Sequence, residues 1–307
     1  MKPKIVFMGT PEFAVASLDK LVNAGWDVVG VVTAPDKPAG RGMQLQQSAV
    51  KKYACEKNLN ILQPEKLKSL EFIEQLRSLN ADLQVVVAFR MLPEIVWNMP
   101  PMGTINLHGS LLPQYRGAAP INWAIINGEK ETGVTTFKLQ HEIDTGNILL
   151  AQRFAIGEEE TAGELHDRMK EIGADLLLKT VEGLSEGTLK EVPQKEISSD
   201  TLKHAPKIFT ETCKIDWNRS VNEIHDLIRG LSPYPTAFTE LNGKKLKVFK
   251  AVRNNTEVVA VKPGQHRTDG KTYLQIACSN GWLNIIELQM EGKKRLLVEE
   301  FLRGYRF

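Results

Sequence analysis

The sequence predicts an α/β protein with a smaller, strand-rich second domain, and three observations support this prediction. Apolar runs of strand length alternate with helical patterns over the first part of the chain, as in a parallel sheet covered by helices. Between residues 192 and 206 the composition shifts to Ser, Lys, Pro and Asp without periodicity, which is typical of a linker. Short strand patterns follow. We therefore predict domains over 1–190 and 208–307, joined by a linker over 191–207.

The composition is that of an ordinary soluble globular protein. The chain has 307 residues, of which 42% are hydrophobic and 25% charged, and its formal net charge is +2. This length is enough for two domains that each bury a core. The three cysteines are odd in number and widely spaced, which argues against disulfides and thiolate zinc sites. No apolar run approaches the length of a membrane span, so we expect a cytoplasmic protein without membrane contact.

The elements of the first domain can be placed in order. Residues 4–9 form a buried strand, and Thr-Pro-Glu then starts a helix that carries Phe13, Leu18 and Leu21 inward. The turn between them contains Gly9 but lacks the Gly-x-Gly-x-x-Gly pattern, so dinucleotide binding has little support. The same periodicity rules predict further strands over 27–33, 83–89, 103–108 and 133–137, and helices over 48–57, 67–79 and 162–184. The last helix should bury four apolar residues at helical spacing: Leu165, Met169, Ile172 and Leu176.

Two chemically active side chains lie at the end of the 103–108 strand. Asn106 and His108 are two residues apart, so both leave the same face of an extended strand. One can donate to an oxygen and the other can move a proton, and strand carboxyl ends hold the ligands of open α/β sheets. Asp144 is the third candidate, because a carboxylate beside a histidine fixes its tautomer and supports its charged form. The alternative is that Asn106 and His108 only satisfy backbone groups at a strand end.

Residues 208–307 predict a small β-barrel. One helix is expected over 220–229, and it precedes short strands over 245–252, 257–261, 271–277 and 281–288. This part of the chain contains 16 Lys and Arg and 11 Asp and Glu, so it carries a net positive charge. A basic domain suits phosphate recognition, and a solvated surface is the alternative explanation.

Six motifs, in this order, resemble the methionyl-tRNA formyltransferase family over essentially the whole chain. They are Phe7-Met8-Gly9-Thr10-Pro11-Glu12-Phe13-Ala14, Pro35-Asp36-Lys37-Pro38-Ala39-Gly40-Arg41-Gly42, the block from Asn106 to Pro120, Glu131-Thr132-Gly133-Val134-Thr135, Ile143-Asp144-Thr145-Gly146 and Pro233-Tyr234-Pro235-Thr236-Ala237-Phe238. The set Asn106, His108 and Asp144 alone would indicate only the wider group of folate-dependent formyltransferases. The resemblance implies a Rossmann-like formyltransferase domain followed by an OB-like β-barrel that binds tRNA.

The resemblance also implies an activity: formyl transfer from 10-formyltetrahydrofolate to the amino group of methionine on initiator tRNA, without a metal. An amine then attacks a formamide carbon, so Asn106 would stabilise the oxyanion, His108 would transfer the proton and Asp144 would orient His108. The pterin would lie against two segments, formed by Phe89, Arg90, Met91, Leu92, Ser110, Leu111, Leu112 and Pro113. Simple packing of Met91 and Leu92, and a solvated Arg90, are the alternatives.

Residues 34–47 resemble the loop with which the family reaches the tRNA acceptor stem. Arg41, between two glycines, matches the central arginine of that loop, and Lys37 lies beside it. Many relatives continue with lysines and Pro-Ser-Pro, whereas this chain continues with uncharged residues over 43–49, so phosphate attraction here should be weaker. We expect cations of the barrel to supply the remaining contacts, namely Lys244, Lys245, Lys247 and the cluster at 293–295. Gly109 is a second departure, because many relatives have alanine there.

Three other functions compete with this interpretation. A sugar-nucleotide amine formyltransferase would share Asn106, His108 and Asp144, but the 37–42 loop and the basic C-terminal part argue against it. A noncatalytic tRNA-binding protein would not need the catalytic set. A Rossmann-type nucleotide binder would need the missing glycines. The family resemblance implies a monomer.

Overall fold

The computed structural model describes residues 2–39, 44–196, 201–254 and 260–306. Residue contacts divide the chain into two compact units, and each unit is assembled from separate stretches of sequence. The first contains Met1–Arg116, Gly133–Phe154 and His166–Lys203, and the second contains Gly117–Thr132, Ala155–Leu165 and His204–Phe307. Each unit is therefore discontinuous in sequence, and the domain limits given above remain a prediction.

The strands of the described residues, in chain order, are β1 (Lys4–Gly9), β2 (Asp27–Val32), β3 (Lys37–Ala39), β4 (Gln44–Gln46), β5 (Ile61–Leu62), β6 (Leu83–Val87), β7 (Thr104–His108), β8 (Arg116–Gly117), β9 (Glu131–Lys138), β10 (Ile148–Ala155), β11 (His204–Ala205), β12 (Ala237–Leu241), β13 (Lys244–Asn254), β14 (His266–Thr268), β15 (Leu274–Ala277), β16 (Trp282–Met290) and β17 (Leu296–Leu297). The helices are α1 (Glu12–Asn23), α2 (Ala49–Glu56), α3 (Leu70–Ser78), α4 (Glu94–Trp97), α5 (Pro120–Ile126), α6 (Ala162–Glu186), α7 (Val221–Leu231) and α8 (Val298–Gly304). Short 3-10 helices lie at Gln194–Glu196 and Thr210–Cys213.

The first unit is built on a seven-stranded sheet of order β10-β9-β7-β6-β1-β2-β5. The strands from β7 to β5 run parallel, which confirms the predicted Rossmann-like sheet. β9 pairs antiparallel with β7, a common addition to such sheets that we did not predict. The residues of β1 from Ile5 to Met8 are all fully buried, because a parallel strand covered on both faces buries both sets of side chains.

Helices cover both faces of this sheet. Gly173 of α6 packs against Leu107 of β7, where an added Cβ would lie 2.9 Å from the leucine side chain. On the opposite face, Val86 of β6 belongs to an apolar cluster that includes Phe72 of α3 and Val96 of α4. The predicted inward residues of α1 are buried, as are three of the four predicted for α6: Phe13, Leu18, Leu21, Leu165, Met169 and Leu176.

The second unit contains an antiparallel sheet of order β12-β13-β16-β15-β14, with β17 paired to β16. The sheet is curled into a half-barrel, which confirms the barrel-like second domain. α7 packs its apolar side, including Ile224 and Ile228, into the same core as Val248 of β13. The helix starts at a capping box, in which the Ser220 hydroxyl and the Glu223 carboxylate each accept from the other residue's amide.

The predicted organisation of the C-terminal part of the chain can be compared with the structure. The strand expected over 257–261 lies mostly in residues 255–259, outside the described residues, and residues 260–261 are not in a strand. β12 and α8 were not predicted. The segment expected to be a linker is ordered near its start, where Val192 exchanges two backbone hydrogen bonds with Ile148 at 2.8 and 2.9 Å.

Candidate active site

Asn106 and His108 lie on β7, at the carboxyl edge of the parallel strands. Asn106 pairs in register with Val86 of β6 and Phe137 of β9. His108 is the last residue of the strand and is only 7% exposed, while Asn106 is half-buried. The strand prediction therefore places both side chains correctly, on the face of the sheet opposite to α6.

His108 lies between a carbonyl and a carboxylate. Its Nε2 is 2.9 Å from the carbonyl oxygen of Tyr115. A carbonyl only accepts, so in this arrangement Nε2 carries a proton. On the other side of the ring, Nδ1 lies 3.9 Å from Oδ2 of Asp144, which is too long for a hydrogen bond but close enough for the carboxylate to attract a positive charge on the ring. The structure thus brings His108 and Asp144 together, and adds the carbonyl of Tyr115, which sequence reasoning missed.

Three non-glycine residues near this edge have left-handed backbone conformations. The φ angles are +48° at Ala88, which follows β6, +59° at Tyr115 and +54° at Asp144. Aspartate tolerates this region better than most residues, whereas Tyr115 is 5% exposed and has no such preference. Conformations of this kind typically cost about 1–3 kcal/mol each and cluster at functional sites. The one at Tyr115 belongs to the residue whose carbonyl oxygen contacts His108.

The loop that carries Asp144 depends on a glycine. At Gly146 an added Cβ would lie 1.6 Å from the carbonyl oxygen of Lys138, so no other residue fits without moving the backbone. The Gln194 side chain contacts the same loop through the carbonyl of Asp144. Gly146 was visible as part of an Ile-Asp-Thr-Gly motif, but no sequence signal indicated Gln194.

The turn after β7 is held by internal hydrogen bonds. The Ser110 hydroxyl donates to the carbonyl of Gln114 at 2.6 Å. Thr135 bridges the turn, because its hydroxyl donates to the Ser110 carbonyl at 2.7 Å and accepts from the Leu112 amide at 3.1 Å. Leu112 packs against Phe137 in a small apolar cluster. These contacts hold segment 110–113 in a fixed conformation, and the Ser110 hydroxyl already has a hydrogen-bond acceptor within the turn.

The segment after β6 has one strongly exposed apolar side chain. Met91 is 73% exposed, whereas Leu92 is 9% exposed and packs with Phe89 against the cluster beneath α3 and α4. Arg90 donates to the carbonyls of Pro64 and Glu65, and burial lowers the pKa of its guanidinium. Arg90 thus ties two loops together while remaining exposed, and the folate contacts of segments 89–92 and 110–113 remain predictions.

The loop over 34–47 contains a β-hairpin. β3 and β4 pair antiparallel, with Lys37 opposite Gln46. Arg41 and Met43 lie between these strands, in residues 40–43, outside the described residues. Asp36 anchors the base of the hairpin, since its carboxylate accepts from Lys51 at 2.5 Å and from Gln63 at 2.8 Å. These hydrogen bonds hold the pKa of Asp36 below its ordinary value.

Of the predicted cations of the second unit, Lys244, Lys245 and Lys247 lie on β13, and the cluster at 293–295 directly precedes β17. Lys244 and Lys245 are exposed and Lys247 is half-buried. The ammonium of Lys245 lies 4.3 Å from the ring centroid of Phe238 on β12, which makes a cation–π contact. Within the described chain, no three His, Cys, Asp or Glu residues are grouped to hold a metal. None of the helices described above is long and apolar enough to cross a membrane.

The two-domain fold is that of a formyl transferase. The formyl transferase family model matches residues 3–181, and the formyl transferase C-terminal domain model matches residues 207–306. Among solved structures, the sugar 3N-formyl transferase WlaRD is similar with a TM-score of 0.69 at 21% identity, covering 96% of this chain and 100% of that one. HypX from Aquifex aeolicus in complex with tetrahydrofolic acid has a TM-score of 0.67 at 19% identity, covering 99% of this chain and 48% of that one. At such identities the likeness shows the fold alone.

Sequence relatives narrow this class. The methionyl-tRNA formyltransferase of Bacteroides fragilis is 53% identical over 98% of this chain and 95% of its own length. That of Flavobacterium johnsoniae is 49% identical over 100% of this chain and 97% of its own length. The chain belongs to the methionyl-tRNA formyltransferase family.

Proposed function

We propose that this protein transfers the formyl group of 10-formyltetrahydrofolate to the amino group of methionine on initiator tRNA. Identity near 50% with methionyl-tRNA formyltransferases over both domains supports the substrate pair. The observation that carries the chemistry is the position of His108, between the Asp144 carboxylate and the Tyr115 carbonyl at the sheet edge.

The reaction has two physical demands. The methionine nitrogen attacks the formyl carbon, whose oxygen becomes an oxyanion and needs a preorganised donor. As the bond from the formyl carbon to N10 of the folate breaks, the attacking nitrogen must lose a proton and N10 must gain one. Asn106 meets the first demand through its amide N–H, and His108 meets the second.

The geometry suggests which nitrogen of His108 moves the proton. Nε2 is already hydrogen-bonded to the Tyr115 carbonyl, so Nδ1, on the side of Asp144, is the nitrogen that takes the proton from the amine and returns it to N10. The imidazolium formed in between lies beside the Asp144 carboxylate, which stabilises its charge. Asp144 acts in this scheme mainly through its charge.

Two segments would hold the folate donor. The exposed side chain of Met91 offers apolar surface to a flat heterocycle, and backbone edges of 89–92 and 110–113 offer hydrogen bonds. The internal hydrogen bonds of Ser110 and the packing of Leu112 keep segment 110–113 rigid. Folate binding therefore costs little conformational entropy in this segment.

The hairpin and β13 would hold the tRNA. Lys37 lies on the hairpin anchored at Asp36, and Arg41 follows it in sequence, outside the described residues. An arginine offers a planar fork of donors for phosphates and base edges. Lys244, Lys245 and Lys247 would add phosphate contacts from the second unit. We expect the protein to act as a monomer in the cytoplasm.

The test is transfer of labelled formyl from 10-formyltetrahydrofolate to Met-charged initiator tRNA, beside Met-charged elongator tRNA and a panel of amino-sugar nucleotides. Label on initiator tRNA alone would support the proposal. Label on a sugar nucleotide instead would favour the sugar-nucleotide amine formyltransferase, and label on no acceptor would contradict formyl transfer altogether.

Arg41 is tested in the same assay. Arg41→Ala should lower kcat/KM for initiator tRNA about tenfold or more, because one charged contact is typically worth 1.5–3 kcal/mol. Arg77→Ala, which removes an exposed arginine of α3, is the matched control. Equal losses in both variants would contradict a specific role for Arg41.

A further inference from the structure

Gln194 is a buried glutamine that contacts both sides of the candidate active site. Its side chain is 4% exposed. It lies in the 3-10 helix Gln194–Glu196, a segment for which the sequence predicted only a linker. Burying a polar side chain is costly unless its donors and acceptors form hydrogen bonds. The hydrogen-bond partners of Gln194 therefore show what this buried amide does.

The amide nitrogen of Gln194 holds the Asp144 loop. Nε2 donates to the carbonyl oxygens of Asp144 and Gly146, each at 2.8 Å. Both donor hydrogens of the amide are thus used on one loop. One of these carbonyls belongs to Asp144 itself, the left-handed residue whose carboxylate lies beside His108.

The amide oxygen of Gln194 binds Arg116, which lies next to the residue on the other side of His108. Oε1 accepts from Nε of Arg116 at 3.0 Å and from its Nη2 at 2.6 Å. Arg116 directly follows Tyr115, whose carbonyl oxygen is 2.9 Å from Nε2 of His108. One side chain therefore links the segment that contacts Nε2 of the imidazole to the segment that contacts Nδ1.

The side-chain amide of glutamine meets these requirements. It has two donor hydrogens and an oxygen with two lone pairs, and all four are used here. A glutamate could still accept from Arg116, but it would place a carboxylate oxygen, which cannot donate, next to the carbonyl oxygens of Asp144 and Gly146. A leucine of similar size would make none of these four hydrogen bonds.

We propose that Gln194 is a positioning residue for the formyl-transfer site: it sets the Asp144 carboxylate and the Tyr115 carbonyl at fixed distances from the two nitrogens of His108. This inference rests on the proposed function of His108 and Asp144. Gln194 acts through these groups, so its loss should lower the rate of the chemical step and leave substrate binding nearly unchanged. A misplacement of about 1 Å can cost on the order of 100-fold in rate.

The experiment compares Gln194→Leu and Gln194→Glu with wild type and with Asn147→Ala. Asn147 donates to Glu191 at 3.0 Å on the exposed surface, so it links the same two stretches of chain without contacting Asp144. We expect kcat to fall about 10- to 100-fold in both Gln194 variants, with KM for the folate within threefold of wild type. Asn147→Ala should retain wild-type kcat. Gln194→Glu, which can still pair with Arg116, tests the idea if Gln194→Leu does not fold.

A double-mutant cycle separates positioning from general support of the fold. In an Asp144→Asn background, Gln194→Leu should cost clearly less in kcat than it does in the wild-type background, because the carboxylate is gone and only the Tyr115 carbonyl is left to position. Full additivity of the two losses, or wild-type kcat in both Gln194 variants, would overturn the proposal. A wild-type enzyme that fails to formylate methionyl-tRNA would instead overturn the proposed function, so the two failures can be told apart.

Discussion

Asp144→Asn isolates the charge of the carboxylate from its shape. Asparagine has the same size and also tolerates the left-handed backbone found at this position. At the observed separation of 3.9 Å, attraction between a carboxylate and an imidazolium is about 4 kcal/mol for an effective dielectric constant of about 20. The side chains of His108 and Asp144 are 8% and 12% exposed, so some water screening remains, and we take about 2–4 kcal/mol. The expected loss in kcat is about 30- to 1,000-fold.

Single-turnover formylation of Met-charged initiator tRNA measures this loss directly, because product release does not limit the rate. Glu142→Gln is the control, since it makes the same charge change on an exposed side chain two residues away. It should stay within about threefold of wild type, as is usual for a screened surface charge. If Asp144→Asn also stays within threefold, no imidazolium forms beside this carboxylate and the proton-transfer scheme is wrong.

The remaining predictions concern three separate features. Asn106→Ala should lower kcat about 100- to 1,000-fold in steady-state assays, as loss of one oxyanion donor does; unchanged kcat would remove this residue from the mechanism. Gly146→Ala should lower the free energy of unfolding by about 3 kcal/mol or more, because its Cβ would lie 1.6 Å from the Lys138 carbonyl oxygen, and an unaltered Tm would contradict this. Burial raises the pKa of Glu159, but attraction and hydrogen bonding from cationic partners, led by His225, outweigh burial, so the net pKa lies below its ordinary value. A lowered carboxylate pKa stabilises the fold above the unfolded-state pKa, and this stabilisation is lost as pH falls through the folded-state value. Glu159→Gln should therefore lose less stability than wild type between about pH 5 and pH 3, and identical acid unfolding curves would exclude the contribution.

Much of the first sheet and two of the site residues could be predicted because they follow local rules. The strand at 103–108 has the expected register, and an extended strand necessarily places Asn106 and His108 on one face. Apolar spacing likewise identified the buried side of α6, with Leu165 and Met169 fully buried. Motif order then supplied Asp144, which the structure places beside His108.

The remainder depends on contacts between residues far apart in sequence. Tyr115 itself has a left-handed backbone conformation, and its carbonyl oxygen contacts His108. Tyrosine has no preference for this conformation, so nothing in the sequence indicated the contact. Gln194 lies in a stretch without periodicity, and its role comes from carbonyls about 50 residues away. The hairpin of β3 and β4 was missed because three-residue strands carry too little pattern to be recognised.

The discontinuous units have a consequence for synthesis on the ribosome. The chain passes between the units after residues 116, 132, 154, 165 and 203. α5 emerges early, yet its Ile126 packs with apolar residues of α7 and β13 that are translated roughly a hundred residues later. At about 5–20 residues per second, this part of the nascent chain waits about 5–20 seconds for its partners. A fragment that begins at residue 204 would lack α5, so the second unit is complete only when residues from the middle of the chain and the C-terminal residues are both present.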